Sequence, residues 1–211
     1  MNGQVLAFIS YGVYIVTSLD GERPIGCVAN SVVQVASSPA TIAVSIHRDN
    51  YTNGCIKKTN QFAVSILSEK SSPRLIGTFG FKSSRDTDKF EHVAYEMKEK
   101  LPVIMDSCGY IVCRVIDMIE TATHTLFLGE VVDGDVLDSA GPPMTYTYYR
   151  QVIKGKIPRN APTYTPGDDD KKKKAKYECQ VCGYIYEGER LPEDFTCPIC
   201  GQTAAYFNKV E

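Results

Sequence analysis

Four cysteines near the C-terminus carry the most specific chemistry in the 211-residue chain. They form two CxxC pairs, Cys179/Cys182 and Cys197/Cys200, with fourteen residues between the pairs. Thiolates in two such knuckles converge on a tetrahedral S4 site suited to iron or zinc. A glycine follows each pair, Gly183 and Gly201, and permits the positive φ that curls backbone N–H groups toward sulfur. Such contacts spread thiolate charge and tune a bound metal. Spacing alone leaves a one-electron iron centre and a structural zinc ribbon both open. Residues 177–211 are too few to hold together by apolar burial, so ligation supplies much of the folding energy. Tyr177, Tyr184, Tyr186, Phe195, Tyr206 and Phe207 are expected to form an aromatic micro-core around it.

A second group of candidates lies upstream. Asn50-Tyr51-Thr52 opens a helical pattern and offers hydroxyl and backbone N–H groups to a phosphate, with Arg48 as a nearby cation. Thr52 also reads as a plain N-cap. Gly26-Cys27-Val28-Ala29-Asn30-Ser31 is small and polar, equally a ligand loop or a turn. Lys89 sits in a charged run, and His124 begins an apolar one. Cys27, Cys55, Cys108 and Cys113 are scattered and read as small, buried, reduced thiols. Tyr146, Tyr148 and Tyr149 suit either a cofactor face or a subunit interface.

The elements that must position these residues are mainly β. Residues 13–18, 42–46, 62–67, 109–115 and 123–132 are short β-branched and aromatic runs, several of them alternating as half-buried strands do. Two short helices are expected, one near Thr52 capped by Asn50 or Thr52, the other near Ser71 or Ser72 with Pro73 in its first turn. Many strands with few helices predict a barrel or sandwich. Residues 156–176 hold prolines, three aspartates and then four lysines. They read as a linker, part of whose Pro-rich half can lie against the first domain. The boundaries are therefore 1–155, 156–176 and 177–211.

Composition narrows the function. With 43% hydrophobic residues and a formal net charge of −2, the chain can build a core and shows no basic footprint for nucleic acid. The charge is uneven, −4 over 177–211 against +2 over the remainder, so the two parts can dock by complementary charge. No run approaches a membrane span and no basic leader precedes Arg23. A cytoplasmic location is expected, where CxxC pairs bind metal rather than form disulfides. Neither GxGxxG after a strand nor a P-loop motif is present.

The tail, from Cys179-Gln-Val-Cys-Gly-Tyr-Ile-Tyr to Leu191-Pro-Glu-Asp-Phe-Thr-Cys-Pro-Ile-Cys-Gly, closely resembles rubredoxin, which carries single electrons on one iron. Its inter-pair loop is shorter than in free-standing rubredoxins, and Phe195 stands where they usually have Trp. Upstream, Ile9–Ser18, Gly26–Ser31, Ser45–Thr52, Arg85–Phe90 and Thr123–Val131 resemble, in consistent order, the flavin reductase-like group, which includes flavoredoxin. Together they resemble the flavin reductase–rubredoxin fusions of anaerobic bacteria. The resemblance implies an FMN-binding split β-barrel with Ala29, Asn30, Ser31, Ser45, Arg48, Asn50, Tyr51, Thr52, Lys89 and His124 around the cofactor. Asn30 and Ser31 would hydrogen-bond the ring, Lys89 would offset reduced flavin, and His124 would lie where nicotinamide stacks. It also implies NAD(P)H as reductant, Fe(II/III) on the four cysteines, a homodimer and a flavodiiron O2/NO reductase as acceptor. About 20 residues of linker span on the order of 25 Å r.m.s., which holds the iron domain near millimolar effective concentration. Within a dimer, the iron of one subunit could serve the flavin of the other. Three alternatives stand beside this reading: an NAD(P)H:flavin reductase with a structural zinc tail, a non-enzymatic electron carrier, and a zinc-ribbon interaction module.

Overall fold

The computed structural model describes residues 3–137, 141–153, 155, 161–163, 175–188 and 190–210. Five strands occur where the apolar runs predict them: β1 (Tyr14–Asp20), β4 (Ala40–His47), β5 (Gln61–Ile66), β8 (Gly109–Glu120) and β9 (His124–Val136). The remaining upstream strands are β2 (Arg23–Ala29), β3 (Val32–Ser37), β6 (Tyr95–Lys98) and β7 (Leu101–Ile104). One antiparallel sheet runs β2-β1-β5-β8-β9-β4-β3, and β6 pairs with β7 in a separate hairpin. β2 and β3 are separated only by Asn30 and Ser31 in the chain, yet lie at opposite ends of that ladder. The sheet must therefore curl until its ends meet, as a twisted sheet does when it closes into a barrel. The mainly β, split-barrel expectation is met.

β1 and β5 do not alternate. Ile15 to Ser18 and Phe62 to Ser65 are buried without a break, because β7 packs across both strands and α1 (Tyr51–Thr59) covers β1. A strand covered on both faces reads as a continuous apolar run. Its buried hydroxyls find carbonyls: Thr17 Oγ1 donates to Pro102 O at 2.5 Å and Ser18 Oγ to Gln61 O at 3.0 Å. β2 escapes sequence reading because Pro24 and Gly26 interrupt it. Gly26 lies opposite Thr17, and a Cβ there would sit 2.9 Å from Val16 O. The segment 26–31 is thus a strand end at Ala29 followed by a two-residue link, rather than one loop.

Helix α1 is capped by Asn50, whose Oδ1 accepts from Thr52 N at 3.0 Å, and it ends at Asn60 in the left-handed region, φ 55°. Thr52 is therefore not the cap. α2 (Pro73–Phe81) starts with Pro73 in its first turn, and the Ser72 N–H goes to the Asp106 carboxylate at 2.8 Å. A short α3 (Tyr146–Gln151), capped by Thr145, was not foreseen. The tail forms a small sheet of β10 (Lys176–Cys179), β11 (Ile185–Glu187) and β12 (Phe207–Val210). Most of the expected linker lies outside the described residues, but Ala161 to Thr163 lie against the barrel. Among the described residues, no helix is long and apolar enough to cross a membrane.

Asn50→Ala removes the only side-chain cap of α1 and is expected to cost about 1 kcal/mol in urea unfolding of the barrel. A loss under about 0.3 kcal/mol would show that the cap contributes little.

Candidate functional site

The cavity that gathers most of the sequence candidates, and is the main cavity in that sense only, opens where β2 parts from β3. Cys27, Ala29 and Asn30 line it from the β2 end, Ser45, Ile46 and His47 from β4, and His124 from β9. Antiparallel register sets His47 directly opposite His124, with ring centroids 5.0 Å apart and planes at 79°. The Asp49 N–H donates to His47 Nδ1 at 3.2 Å, so that nitrogen carries no proton and Nε2 is the protonated one in the neutral ring. His124 Nδ1 shares a 2.8 Å hydrogen bond with Thr123 Oγ1. The opposite wall is apolar, formed by Ile76, Phe79 and Gly80 of α2 with Tyr146 and Tyr149 of α3. Ala161 and Pro162 complete it. The next residue, Thr163, accepts a 2.9 Å bond from Asn30 Nδ2 and donates to Tyr146 OH at 2.8 Å.

Asn50 also belongs to two neighbouring concavities. The first is net basic, lined along α1 by Arg48, Tyr51, Lys58 and Arg85 with Asp49. Arg48 is partly engaged, donating to Ala122 O at 2.6 Å and lying 3.8 Å from Glu120. Tyr51 donates to Asp20 at 2.7 Å, and this bond, with Arg23, holds the Asp20 carboxyl below its ordinary range. In the first turn of α1, Thr52 Oγ1 is fully buried, without an oxygen or nitrogen partner, and lies at the Cys27 thiol. The helix start with the cationic hollow beside it fits a phosphate-bearing ligand. The second concavity joins Asn50 and Tyr51 to Phe79, Ser84 and Lys89. Lys89 is 4% exposed, and its Nζ donates to Gly26 O at 2.9 Å and Phe79 O at 3.2 Å. Burial lowers its pKa from 10.5 to about 8.

Of the sequence candidates, Ala29, Asn30, Ser45, Asn50 and His124 meet in the main cavity. Arg48 and Tyr51 sit next door, Ser31 donates to Asn30 Oδ1, and Thr52 is buried behind the helix start. Ile76 and Phe79 were not foreseen as lining residues, and His47, from sequence a weaker candidate than His124, lines the cavity as well. Pairing the two predicted strands 42–46 and 123–132 would have found His47, because only register brings it to His124. Of the three tyrosines left open, Tyr146 and Tyr149 line the cavity and Tyr148 does not. Among the scattered cysteines, Cys27, Cys55 and Cys113 are buried as expected, and burial pushes Cys113 up to about 12. Cys108 is only half-buried, because it lies in the turn before β8.

The second site is the sulfur cluster. The Sγ atoms of Cys179, Cys182, Cys197 and Cys200 all lie within 4.8 Å of one another, with 3.5 Å between Cys179 and Cys200 and between Cys182 and Cys197. A tetrahedron of about 2.3 Å metal–sulfur bonds has edges near this size. Gly183 and Gly201 take φ of 73° and 70° as predicted. Their N–H groups, however, close each knuckle onto the carbonyls of Cys179 and Cys197, both at 2.9 Å, rather than onto sulfur. The Tyr184 N–H is the backbone group that favours the Cys182 thiolate, while burial pushes that thiol up. Four crowded sulfurs ionise together only around a cation, so the donor set fits a bound iron. Phe195 is the hub of the micro-core, 4.7 Å from Tyr186 and 5.4 Å from Phe207 by ring centroid. Tyr206 is 50% exposed and outside it, because it ends the turn before β12 instead of pointing at the cluster.

Comparison with known proteins assigns both parts. Residues 6–155 match the flavin reductase like domain, and residues 177–208 match the rubrerythrin, rubredoxin-like domain. The chain is 40% identical to a high molecular weight rubredoxin of Moorella thermoacetica, covering 100% of both chains. It is 40% identical to a ferric-chelate reductase (NAD(P)H) of Archaeoglobus fulgidus over 74% of this chain and 93% of that one. Among solved structures, the NADH:FAD oxidoreductase SgcE6 of Streptomyces globisporus superposes with a TM-score of 0.58 at 26% identity, over 63% of this chain and 79% of that one.

Lys89 gives a test. Between pH 8 and 10.5 it is neutral when folded and charged when unfolded, so unfolding takes up a proton and stability rises across that window. Lys89→Met is expected to cost about 1–3 kcal/mol near neutral pH, since Phe79 O and Gly26 O each lose the ammonium donor while Gly26 O keeps Ser84 Oγ. It should also remove this rise. Parallel slopes of unfolding free energy against pH in both proteins would place the titration elsewhere.

Proposed function

The chain belongs to the flavin reductase-like family and ends in a rubredoxin-like domain, and on that premise we propose that it carries electrons from NAD(P)H through FMN to a four-cysteine iron centre and on to a second redox protein. One observation carries this reading: a cavity walled by a histidine pair and a four-sulfur cluster occur in the same chain. When bound, flavin takes both electrons of a hydride and iron takes one, so one NAD(P)H balances two Fe(III) to Fe(II) changes with release of one proton.

The residues do the positioning. Asn30, steadied by Ser31, with Ser45 and the backbone at Ala29, would hydrogen-bond the ring of a bound flavin. Arg48, Asn50, Tyr51 and the Thr52 hydroxyl would hold its phosphate. The His47–His124 pair would stand by the nicotinamide. Lys89 ties β2 to α2 and would supply positive charge to the reduced cofactor. Hydride transfer requires no protein acid or base, so geometry sets the rate.

The same reading divides the chain into 1–155, 156–176 and 177–211. It places the protein in the cytoplasm, where CxxC thiols stay reduced. The resemblance to flavin reductase–rubredoxin fusions supports a flavodiiron O2/NO reductase as acceptor. A homodimer is supported by exposed apolar side chains along β3 (Val33, Val35) and β8 (Ile116, Met118, Ile119), more than scattered surface residues require. The Archaeoglobus relative is covered to 93% by 74% of this chain, about the length of the barrel, which favours one second reading: a reductase that releases reduced flavin while its tail stays idle.

Anaerobic NADH or NADPH titration of flavin- and iron-loaded protein separates the two. Loss of both the flavin band and the ferric absorbance is expected; flavin loss with the ferric signal intact would establish the second reading. Cys197→Ser should cut reduction of a protein acceptor at least about 100-fold and change flavin reduction less than about 2-fold, read as separate rates. Equal loss of both would contradict a modular relay. Val33→Asp with Ile116→Asp is expected to convert a dimer to a monomer in sedimentation, and an unchanged dimer would move the interface elsewhere.

A further inference from the structure

The two parts of the chain meet at α2. A Cβ on Gly77 would stand 3.7 Å from the carbonyl carbon and oxygen of Cys182 and 3.8 Å from its Cα, so the first knuckle rests on bare helix backbone. From the second knuckle, Ile199 packs against the hydrophobic cluster that contains Ile76 and Phe79. Ile76, Phe79, Gly80 and Phe81 of the same helix line the main cavity. α2 is therefore a partition about 10 Å thick, bordering the cavity on one side and the sulfur cluster on another.

At Gly77 no side chain stands between α2 and the knuckle. Gly77 has no positive φ, so its backbone would accept any side chain. Glycine within a helix costs about 0.5–1 kcal/mol relative to alanine. The nearest atoms to its missing Cβ all belong to Cys182, and none to the barrel. Gly80, one turn on, differs: a Cβ there would meet Val28 of β2, so it faces the barrel. Charge agrees. The tail domain carries −4 against +2 for the rest, and α2 presents the exposed Arg74, with Lys82 and Arg85 after it ahead of Asp86 and Asp88. The tether permits it as well. Thr163 is bonded to the barrel, β10 begins at Lys176, and the chain between them can span at most about 45 Å.

We propose that α2 is the docking surface for the C-terminal domain of the same chain, with Gly77 as the seat of the first knuckle, and that the metal centre is reduced in this docked pose. This rests on the relay reading above and replaces a freely swinging donor step with a seated one. The test uses full-length protein loaded with flavin and iron. Gly77→Ala reaches only ordinary van der Waals contact and should behave as wild type. Gly77→Trp should raise the radius of gyration in small-angle scattering. It should also slow the anaerobic loss of ferric absorbance about 10-fold or more, as effective concentration falls. The rate of flavin reduction should be unchanged. If the Trp variant loses flavin, Gly77→Leu makes the same steric test. Equal radii and equal ferric rates in the bulky variant and wild type would overturn the docking surface. A wild-type protein that shows no ferric loss at all would instead overturn the relay reading, with scattering still deciding whether the domains dock. Co-expressed Gly77→Trp and Cys197→Ser chains put the four-cysteine centre only on the chain whose α2 is blocked. Slow ferric loss is expected there, and wild-type speed would overturn docking within one chain.

Discussion

β2 ends at Ala29 and β3 begins at Val32, and the hydrogen-bonded ladder places these two strands at its opposite edges. A two-residue link cannot cross an open seven-stranded sheet, since neighbouring strands lie about 4.8 Å apart. The sheet has to close, and the place where it closes is also where two strands diverge. The main cavity opens there, with Asn30 and Ser31 at its rim. Everything else about the upper site follows from that seam. β4 and β9 bring His47 and His124 to it, and α2, α3 and the segment 161–163 roof it.

The second constraint is one of size. The tail has too little apolar surface to fold by burial, and its four sulfurs, Phe195 and three-stranded sheet act as one unit around a cation. The two parts thus depend on different physics, the barrel on a continuous core and the tail on ligation. They touch at Gly77, beneath the Cys182 backbone, and through Ile199, which packs on the barrel cluster that holds Ile76 and Phe79.

Buried polarity marks the functional ground. Lys89 spends its donors on the carbonyls of Gly26 and Phe79, which fixes α2 against β2 and holds a cation behind the cavity at the cost of a depressed pKa. Thr52 buries its hydroxyl at the start of α1, with the Cys27 thiol rather than an oxygen or nitrogen beside it. A core selected only for stability would carry neither.

The metal site, its ligands and its glycine turns were legible residue by residue, because a knuckle is local: Cys-x-x-Cys-Gly dictates its own turn and needs no distant partner. The Asn50 region and the five apolar strands were legible for the same reason, as caps and runs are written in neighbouring residues. β2 stayed hidden because Pro24 and Gly26 break the alternation, and β3 because five of its six residues are solvent-exposed. The pairing of His47 with His124, the distinct surroundings of Arg48 and Lys89, the exposed Tyr206 and the seat of the tail on α2 were decided by tertiary structure alone. Each depends on strand register or on helix packing between residues far apart in the chain, and no local pattern encodes which side of a closed sheet faces which neighbour.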